Sequence, residues 1–129
     1  MAYKLFDYVD EHGRNVIKEW SESLEKTQRA RLNEMLDKLA MHGDTLYPMM
    51  MAGSGVGGIS KLRIKGSVQL RPLLCKGPVD VASEYTLLKG AKEVGDEWKP
   101  DNAREIAKEH KEKVKKNAVE RRKVHERVS

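Results

Sequence analysis

The amino-acid sequence predicts an α+β domain in which an N-terminal helical hairpin packs on a small, mostly antiparallel sheet and a long C-terminal helix follows. Apolar residues recur at helical spacing between residues 15 and 43. Three short runs of aliphatic and β-branched residues, separated by turn residues, fill residues 59–88. Helix-favouring residues then continue from Asn102 to about Val128. With 129 residues, the chain has the length of a single domain.

The N-terminal part is expected to contain one strand and two helices. Tyr3 to Val9 is rich in aromatic and β-branched residues, which favours a short strand. Asn15 can cap a first helix that ends near Ser23. Its apolar stripe consists of Val16, Ile17 and Trp20. A second helix is expected from about Thr27 to a left-handed cap at Gly43. Its buried stripe consists of Leu32, Met35, Leu36 and Leu39.

The middle of the chain is expected to hold a loop followed by three strands. Residues 44–58 contain four glycines and a run of three methionines, which favours an irregular loop. The glycines do not match a P-loop, because no Gly-Lys-Ser/Thr follows and no helix-forming segment begins after them. Ile59 to Ile64 and Ser67 to Leu74 predict a hairpin, and Ala82 to Leu88 predicts the next strand.

The first strand of this hairpin alternates cationic and aliphatic residues. Period-two geometry places its cations on one face and its aliphatic residues on the other. The cations are Lys61, Arg63 and Lys65, and the aliphatic residues are Leu62 and Ile64. Charge is also uneven along the chain: residues 1–58 hold 7 basic and 9 acidic side chains, whereas residues 59–129 hold 18 and 11. A basic sheet face in the positive half favours an anionic partner such as nucleic acid.

The final segment is expected to be a helix that docks at its start and projects at its end. Its apolar stripe is thin and consists of Ile106, His110, Val114 and Ala118. The predicted division is therefore an α+β domain over residues 1–110 and a basic helical extension over residues 111–129. Residues 108–127 carry nine basic and four acidic side chains. That composition suits either a solvated helix or an arm that binds RNA or a partner.

The sequence indicates a cytoplasmic protein without a membrane partner. It has no secretory leader pattern and no apolar run long enough to cross a bilayer. Its single cysteine, Cys75, excludes an internal disulfide and lies in an apolar run, where packing is expected rather than nucleophilic chemistry. The four histidines lack metal-ligand spacing, so no metal and no cofactor are expected.

Four stretches and the final helix carry a resemblance to a known family. The stretches are GRNVIKEW at 13–20, KLRIKG at 61–66, QLRPLLCKGP at 69–78 and TLLKGAKEVGDEWKP at 86–100. In order and spacing they resemble the phage- and prophage-borne RelE-like toxins of the RelE/ParE superfamily, which are HigB-like partners in toxin–antitoxin pairs. The resemblance implies a RelE-like α+β fold and a metal-independent endoribonuclease that cleaves mRNA, with the ribosome and a cognate antitoxin protein as partners.

The resemblance also assigns roles to residues of the sheet. RNA cleavage by a 2′-hydroxyl needs a base, a cation for the phosphate charge and an acid for the leaving oxygen. By the resemblance, Arg71 is the transition-state stabiliser, Arg63 holds a neighbouring phosphate and Glu93 is the candidate base. Lys61, Lys65, Lys89 and Lys92 would contact the RNA backbone. Structural ion pairs remain the alternative for Arg71, Arg63 and Glu93, and no general acid is identified.

Two other functions remain open from the sequence. The chain could be a non-catalytic phage accessory protein that binds RNA or a host protein through the basic sheet. It could also be a structural homo-oligomer that assembles through the C-terminal helix. The late histidines, His110 and His125, are expected to be surface or packing residues rather than acids.

Overall fold

A computed structural model of the protein describes residues 2–129, which form short strands and four α-helices. The strands are β1 (Lys4–Tyr8), β2 (Met51–Gly53), β3 (Ser60–Leu62), β4 (Gln69–Leu70), β5 (Leu73–Lys76), β6 (Glu84–Lys89), β7 (Lys92–Val94), β8 (Glu97–Lys99) and β9 (Arg122–Val124). The helices are α1 (Val16–Ser23), α2 (Lys26–His42), α3 (Ala103–Lys116) and α4 (Ala118–Arg121), with a 3-10 turn at Gly43–Leu46. Within residues 2–129, no helix has both the length and the apolar content needed to cross a membrane.

The strands form two sheets. The larger sheet has the order β2-β3-β5-β6-β1-β9, and the smaller has the order β4-β7-β8. All pairs are antiparallel except β1 and β6, which run parallel with Leu5 opposite Tyr85. The larger sheet is therefore mixed. Its parallel pair needs a long crossover between the two strands. Here both N-terminal helices and strands β2 to β5 lie in that crossover.

The predicted arrangement is wrong, although the class is α+β. The chain does not begin with a helical hairpin: β1 comes first, and α1 and α2 follow it. The sheet is a six-stranded mixed sheet accompanied by a three-stranded one, not a small and mostly antiparallel sheet. No long C-terminal helix forms in the described residues, since α3 ends at Lys116 and Asn117 has a non-helical backbone, with φ −153° and ψ 75°. The RelE-like arrangement that the resemblance implied is therefore corrected on all three points.

Side-chain alternation divides the core into two clusters on opposite faces of the larger sheet. On one face, Leu74, Tyr85 and Leu87 pack with the apolar stripes of α1 and α2. On the other face, Leu73 and Leu88 pack against α3. Helices thus cover both faces of the sheet, which explains why almost every residue of β5 and β6 is buried.

The end of the chain returns to the sheet because polar and charged groups there find partners on β1 and β6. Strand β9 pairs antiparallel with β1, with Phe6 opposite Val124. The Arg122 guanidinium lies 3.7 Å from the centre of the Phe6 ring and forms an ion pair with Glu84. Residues 111–129 therefore contribute the end of α3, all of α4 and an edge strand.

Asn15 fixes the start of α1, as the sequence predicted. Its Oδ1 accepts hydrogen bonds from the backbone amides of Ile17 at 3.1 Å and Lys18 at 2.9 Å. Its Nδ2 donates to the buried carboxylate of Asp7 at 2.9 Å. A single side chain thereby caps the helix and ties it to β1.

Replacing Asn15 should destabilise the protein more than replacing Asn102, which holds the equivalent position before α3. Asn15→Ala removes both the cap and a partner of Asp7, so we expect the free energy of unfolding to fall by about 2 kcal/mol or more. Asn102→Ala is the matched control, because Asn102 precedes α3 without a side-chain cap bond. Urea unfolding of both variants measures the difference, and equal losses would contradict the role given to Asn15.

Gly90 is required because α1 lies directly against the backbone at the end of β6. A Cβ atom added at Gly90 would lie 2.0 Å from Cδ2 of Trp20. Gly90→Ala should therefore lower the free energy of unfolding by about 1–3 kcal/mol through overpacking. Gly57→Ala has open space around the new methyl group and should change stability little. Chemical unfolding of both variants tests this, and a neutral Gly90→Ala would disprove the close contact.

Candidate active site at Glu93, Arg71 and Lys61

The structure brings together three of the predicted site residues from separate strands. Lys61 lies on β3, Arg71 follows β4, and Glu93 lies on β7, which pairs with β4. The Arg71 Nε donates to Glu93 Oε1 at 3.0 Å, and the Lys61 Nζ lies 3.9 Å from the same oxygen. Glu93 keeps 20% of its side chain exposed. The carboxylate is therefore held by two cations and remains open to solvent.

Arg71 is the most buried member of this cluster. It is only 7% exposed, and its backbone amide donates to the Ala91 carbonyl at 2.8 Å. Its Nη1 donates to the Leu70 carbonyl at 3.1 Å, and its Nη2 donates to the Gln69 side chain. Every guanidinium nitrogen therefore has an acceptor within the protein. In this arrangement Arg71 positions Glu93, and three of its five N–H donors are occupied within the protein.

Trp98 forms the wall beside the Glu93 carboxylate. Glu93 and Trp98 face each other across the β7–β8 pair, so both side chains point to the same side of the small sheet. Lys61 Nζ lies 5.5 Å from the centre of the Trp98 ring, and the Arg104 guanidinium carbon lies 5.4 Å from it. Cations at these distances interact favourably with an indole ring. The cluster thus combines one carboxylate, one aromatic surface and three cations.

The other predicted residues do not join this cluster. Lys92 faces Lys99 and Leu70 across its strand pairs, so it points to the opposite side of the small sheet from Glu93. Lys89 lies at the end of β6, opposite Leu73. Among residues 2–129, only Lys61 and Arg71 form ion pairs with Glu93.

The predicted basic sheet face ends early because β3 ends at Leu62. Arg63 is exposed beyond the strand, and its amide donates to the Met50 carbonyl at 2.8 Å. Lys65 is exposed in the following turn, where its carbonyl accepts a hydrogen bond from Arg31 at 3.0 Å. The alternation of cations in the sequence therefore continues beyond the end of β3. Only within a strand would it place these cations on one face of the sheet.

Sequence reasoning missed Gln69, Trp98 and Arg104 as members of the site. Gln69 lies opposite Glu93 in the β4–β7 pair, so a correct pairing of these two short strands would have indicated it. Arg104 is on α3 and reaches the cluster only because that helix covers the sheet. No local pattern in the sequence identifies such a contact.

Neither late histidine contacts the cluster. His110 stacks on Tyr8 with ring centres 3.8 Å apart, and its Nδ1 lies 2.7 Å from the Leu88 carbonyl, to which it donates. Burial lowers the pKa of His110 below its ordinary value. His125 Nδ1 lies 2.7 Å from Oδ1 of Asp7. In the described part of the chain, no group of three or more His, Cys, Asp or Glu side chains is placed to hold a metal ion.

Comparison with known proteins identifies no relative of this chain. No family model matches the sequence, and no curated protein or solved structure matches it either. The resemblance to RelE-like toxins therefore depends on its four sequence stretches and the final helix.

Cys75 lies under α3 and away from the solvent. It is 2% exposed, and burial raises the pKa of its thiol to about 11. A thiol with this pKa is almost entirely protonated at neutral pH and is a poor nucleophile. Packing is therefore its role in this fold.

Cys75 should react with a thiol-specific disulfide reagent only when the protein unfolds. At pH 8 we expect the native protein to react on the order of 100-fold more slowly than the protein in denaturant, because both burial and the raised pKa suppress the thiolate. The rate at which the reagent's coloured thiolate product appears measures the reaction rate of Cys75. Similar rates for native and denatured protein would show that the thiol is accessible.

Proposed function

We propose that the chain is a metal-independent endoribonuclease toxin that cleaves mRNA, acts on translating ribosomes in the cytoplasm and is held inactive by a cognate antitoxin. The observation that supports this most directly is the convergence of Glu93, Lys61 and Arg71 beside the Trp98 ring. A carboxylate paired with cations beside an aromatic surface is suited to binding and cleaving a phosphodiester. The resemblance to RelE-like toxins supplies the reaction class.

The proposed reaction uses Glu93 as the base. Its carboxylate removes the proton of a 2′-hydroxyl, and the 2′-oxygen attacks the adjacent phosphorus. The bond from phosphorus to the 5′-oxygen breaks, which leaves a 2′,3′-cyclic phosphate and a 5′-hydroxyl. Lys61 stabilises the charge on the phosphate oxygens and supplies the proton for the leaving oxygen, because its ammonium carries three N–H donors. Arg71 orients the carboxylate through its 3.0 Å hydrogen bond.

The second candidate is an accessory protein that binds RNA or a host protein through the same surface without cleaving anything. The burial of Arg71 favours it, because all three guanidinium nitrogens are already bonded within the protein. A guanidinium engaged in this way leaves fewer N–H donors for the charge of a transition state. The two candidates share a binding surface and differ only in chemistry.

Cleavage assays on purified protein separate the two candidates. We expect RNA fragments with 2′,3′-cyclic phosphate ends when the protein is incubated with mRNA and translating ribosomes. Glu93→Gln should slow cleavage about 10²–10⁴-fold, because it removes the base while keeping an acceptor for Arg71. Glu97→Gln is the matched control on the neighbouring strand and should retain activity. RNA binding without cleavage by the unmodified protein, with and without ribosomes, would establish the accessory function instead.

Growth assays test the same proposal in cells. Induced expression should arrest growth, and Lys61→Met should relieve the arrest, because Lys61 is the partly exposed cation nearest Glu93. Thermal unfolding of the purified variant shows whether the fold is retained. Arrest that persists with a folded Lys61→Met protein would remove Lys61 from the active site.

A further inference from the structure

The loop between β2 and β3 borders a cavity that lies apart from the Glu93 cluster. The cavity has a volume of about 630 Å³ and is lined by residues 53–60 together with Tyr47, Lys76, Val81 and Lys111. Small-molecule sites typically have volumes of about 300–1,000 Å³. We propose that this loop cavity binds a phosphoryl group, held by Lys111 and the glycine-rich backbone of the loop.

The charge of the lining points to an anion. Of the described residues that line the loop cavity, two are lysines and none is acidic. Lys76 forms an ion pair with Asp44, which also accepts a hydrogen bond from Tyr85. Lys111 has no carboxylate partner among residues 2–129, and its Nζ contacts only the Gly58 carbonyl, at 3.4 Å. One ammonium group in the cavity is therefore left without a negative charge.

The loop backbone adds hydrogen-bond donors beside this ammonium group. Among the described residues, the amides of Gly55, Gly57 and Gly58 donate to no acceptor. Gly58 has a φ of +78°, and a Cβ atom there would lie 2.6 Å from Lys111 Nζ. Glycine is thus what lets the backbone approach the ammonium group. The adjacent free amides of Gly57 and Gly58, next to a cation, are the elements of an anion-binding concavity.

Arg104 contributes another cation to the same loop. Its Nη1 donates to the Ser54 carbonyl at 3.2 Å and lies 3.2 Å from the position of a Cβ on Gly55. Its Nε is buried and has no acceptor among the described residues. This end of the loop therefore has more donors than acceptors, which again favours a negatively charged ligand.

The remaining walls suit the organic part of a phosphate ester. Tyr47 and Val81 are large side chains with substantial exposure, and both line the loop cavity. An aromatic ring and an aliphatic side chain can cover a base or a sugar while the phosphate lies at Lys111. The ligand class is therefore a phosphate ester of nucleotide size, either free or as one unit of an RNA strand.

Titrations with inorganic phosphate, adenosine monophosphate and a short oligoadenylate test the proposal. They also show whether the phosphoryl group belongs to a free ligand or to an RNA strand. We expect shifts of the Gly55, Gly57 and Gly58 amide signals in NMR spectra. Lys111→Met should weaken binding by about tenfold or more, since a charge-assisted hydrogen bond is lost. Lys108→Met is the matched control, because it makes the same charge change on the outer face of α3. If none of the ligands shifts the loop amides, or if both variants weaken binding equally, the proposal is overturned.

A second pair of variants changes the geometry and preserves every charge. Gly58→Ala should displace the Lys111 ammonium and weaken binding about as much as Lys111→Met. Gly13→Ala imposes the same strain, since Gly13 also has a φ of +78°, but the new methyl group meets nothing within 4 Å. Gly13→Ala should therefore leave the affinity unchanged. Unaltered affinity in a folded Gly58→Ala protein would rule out the proposed contact.

The three ligands also separate this inference from the proposed ribonuclease function. Binding of phosphate or adenosine monophosphate identifies a free ligand, whereas binding of the oligoadenylate alone identifies the RNA strand. Repeating the titration with Glu93→Gln keeps the loop cavity intact and removes the proposed base. Binding that persists in this variant establishes the phosphoryl site independently of whether the protein cleaves RNA.

Discussion

The buried carboxylate of Asp7 is the constraint on which the rest of the fold depends. It is 0% exposed on β1 of the larger sheet, where an unpaired carboxylate would be very costly. It accepts hydrogen bonds from Asn15 Nδ2, from the Glu126 amide at 3.1 Å and from His125 Nδ1 at 2.7 Å. These partners come from the start of α1 and from the segment after β9. One side chain thus positions the first helix and the end of the chain relative to β1.

This constraint also places the candidate site. With β1 held between β6 and β9, the helices cover both faces of the sheet, and α3 lies on the same side as Lys61. The small sheet then brings Glu93 against Arg71 at the rim of the larger one. The Arg104 guanidinium contacts both surfaces. It lies beside the Trp98 ring of the Glu93 cluster and donates to the Ser54 carbonyl of the loop cavity. One helix therefore serves two separate surfaces.

Local structure could be predicted where it depends on residues that are close in the sequence. The cap at Asn15, the end of α2 at Gly43 and the buried stripe of α2 depend on neighbours a few residues away. The parallel pairing of β1 with β6 and the return of β9 depend on distant partners, and strands of two to four residues show too little periodicity to indicate them. In the site, the sequence indicated Arg71 and Glu93 but left open whether they act on RNA or only form ion pairs within the protein. That choice depends on the burial of Arg71, which no local pattern encodes.

The position of Asp7 has a consequence for how the protein forms during synthesis. Asp7 leaves the ribosome early, yet His125 lies 118 residues later in the chain. Strand β1 also waits for β6, its parallel partner, before it gains a neighbour in the sheet. The nascent chain can form α1 and α2, but β1 stays without its hydrogen-bonded neighbours until most of the sequence has been translated. The first strand to be synthesised is thus among the last to gain its neighbours in the sheet.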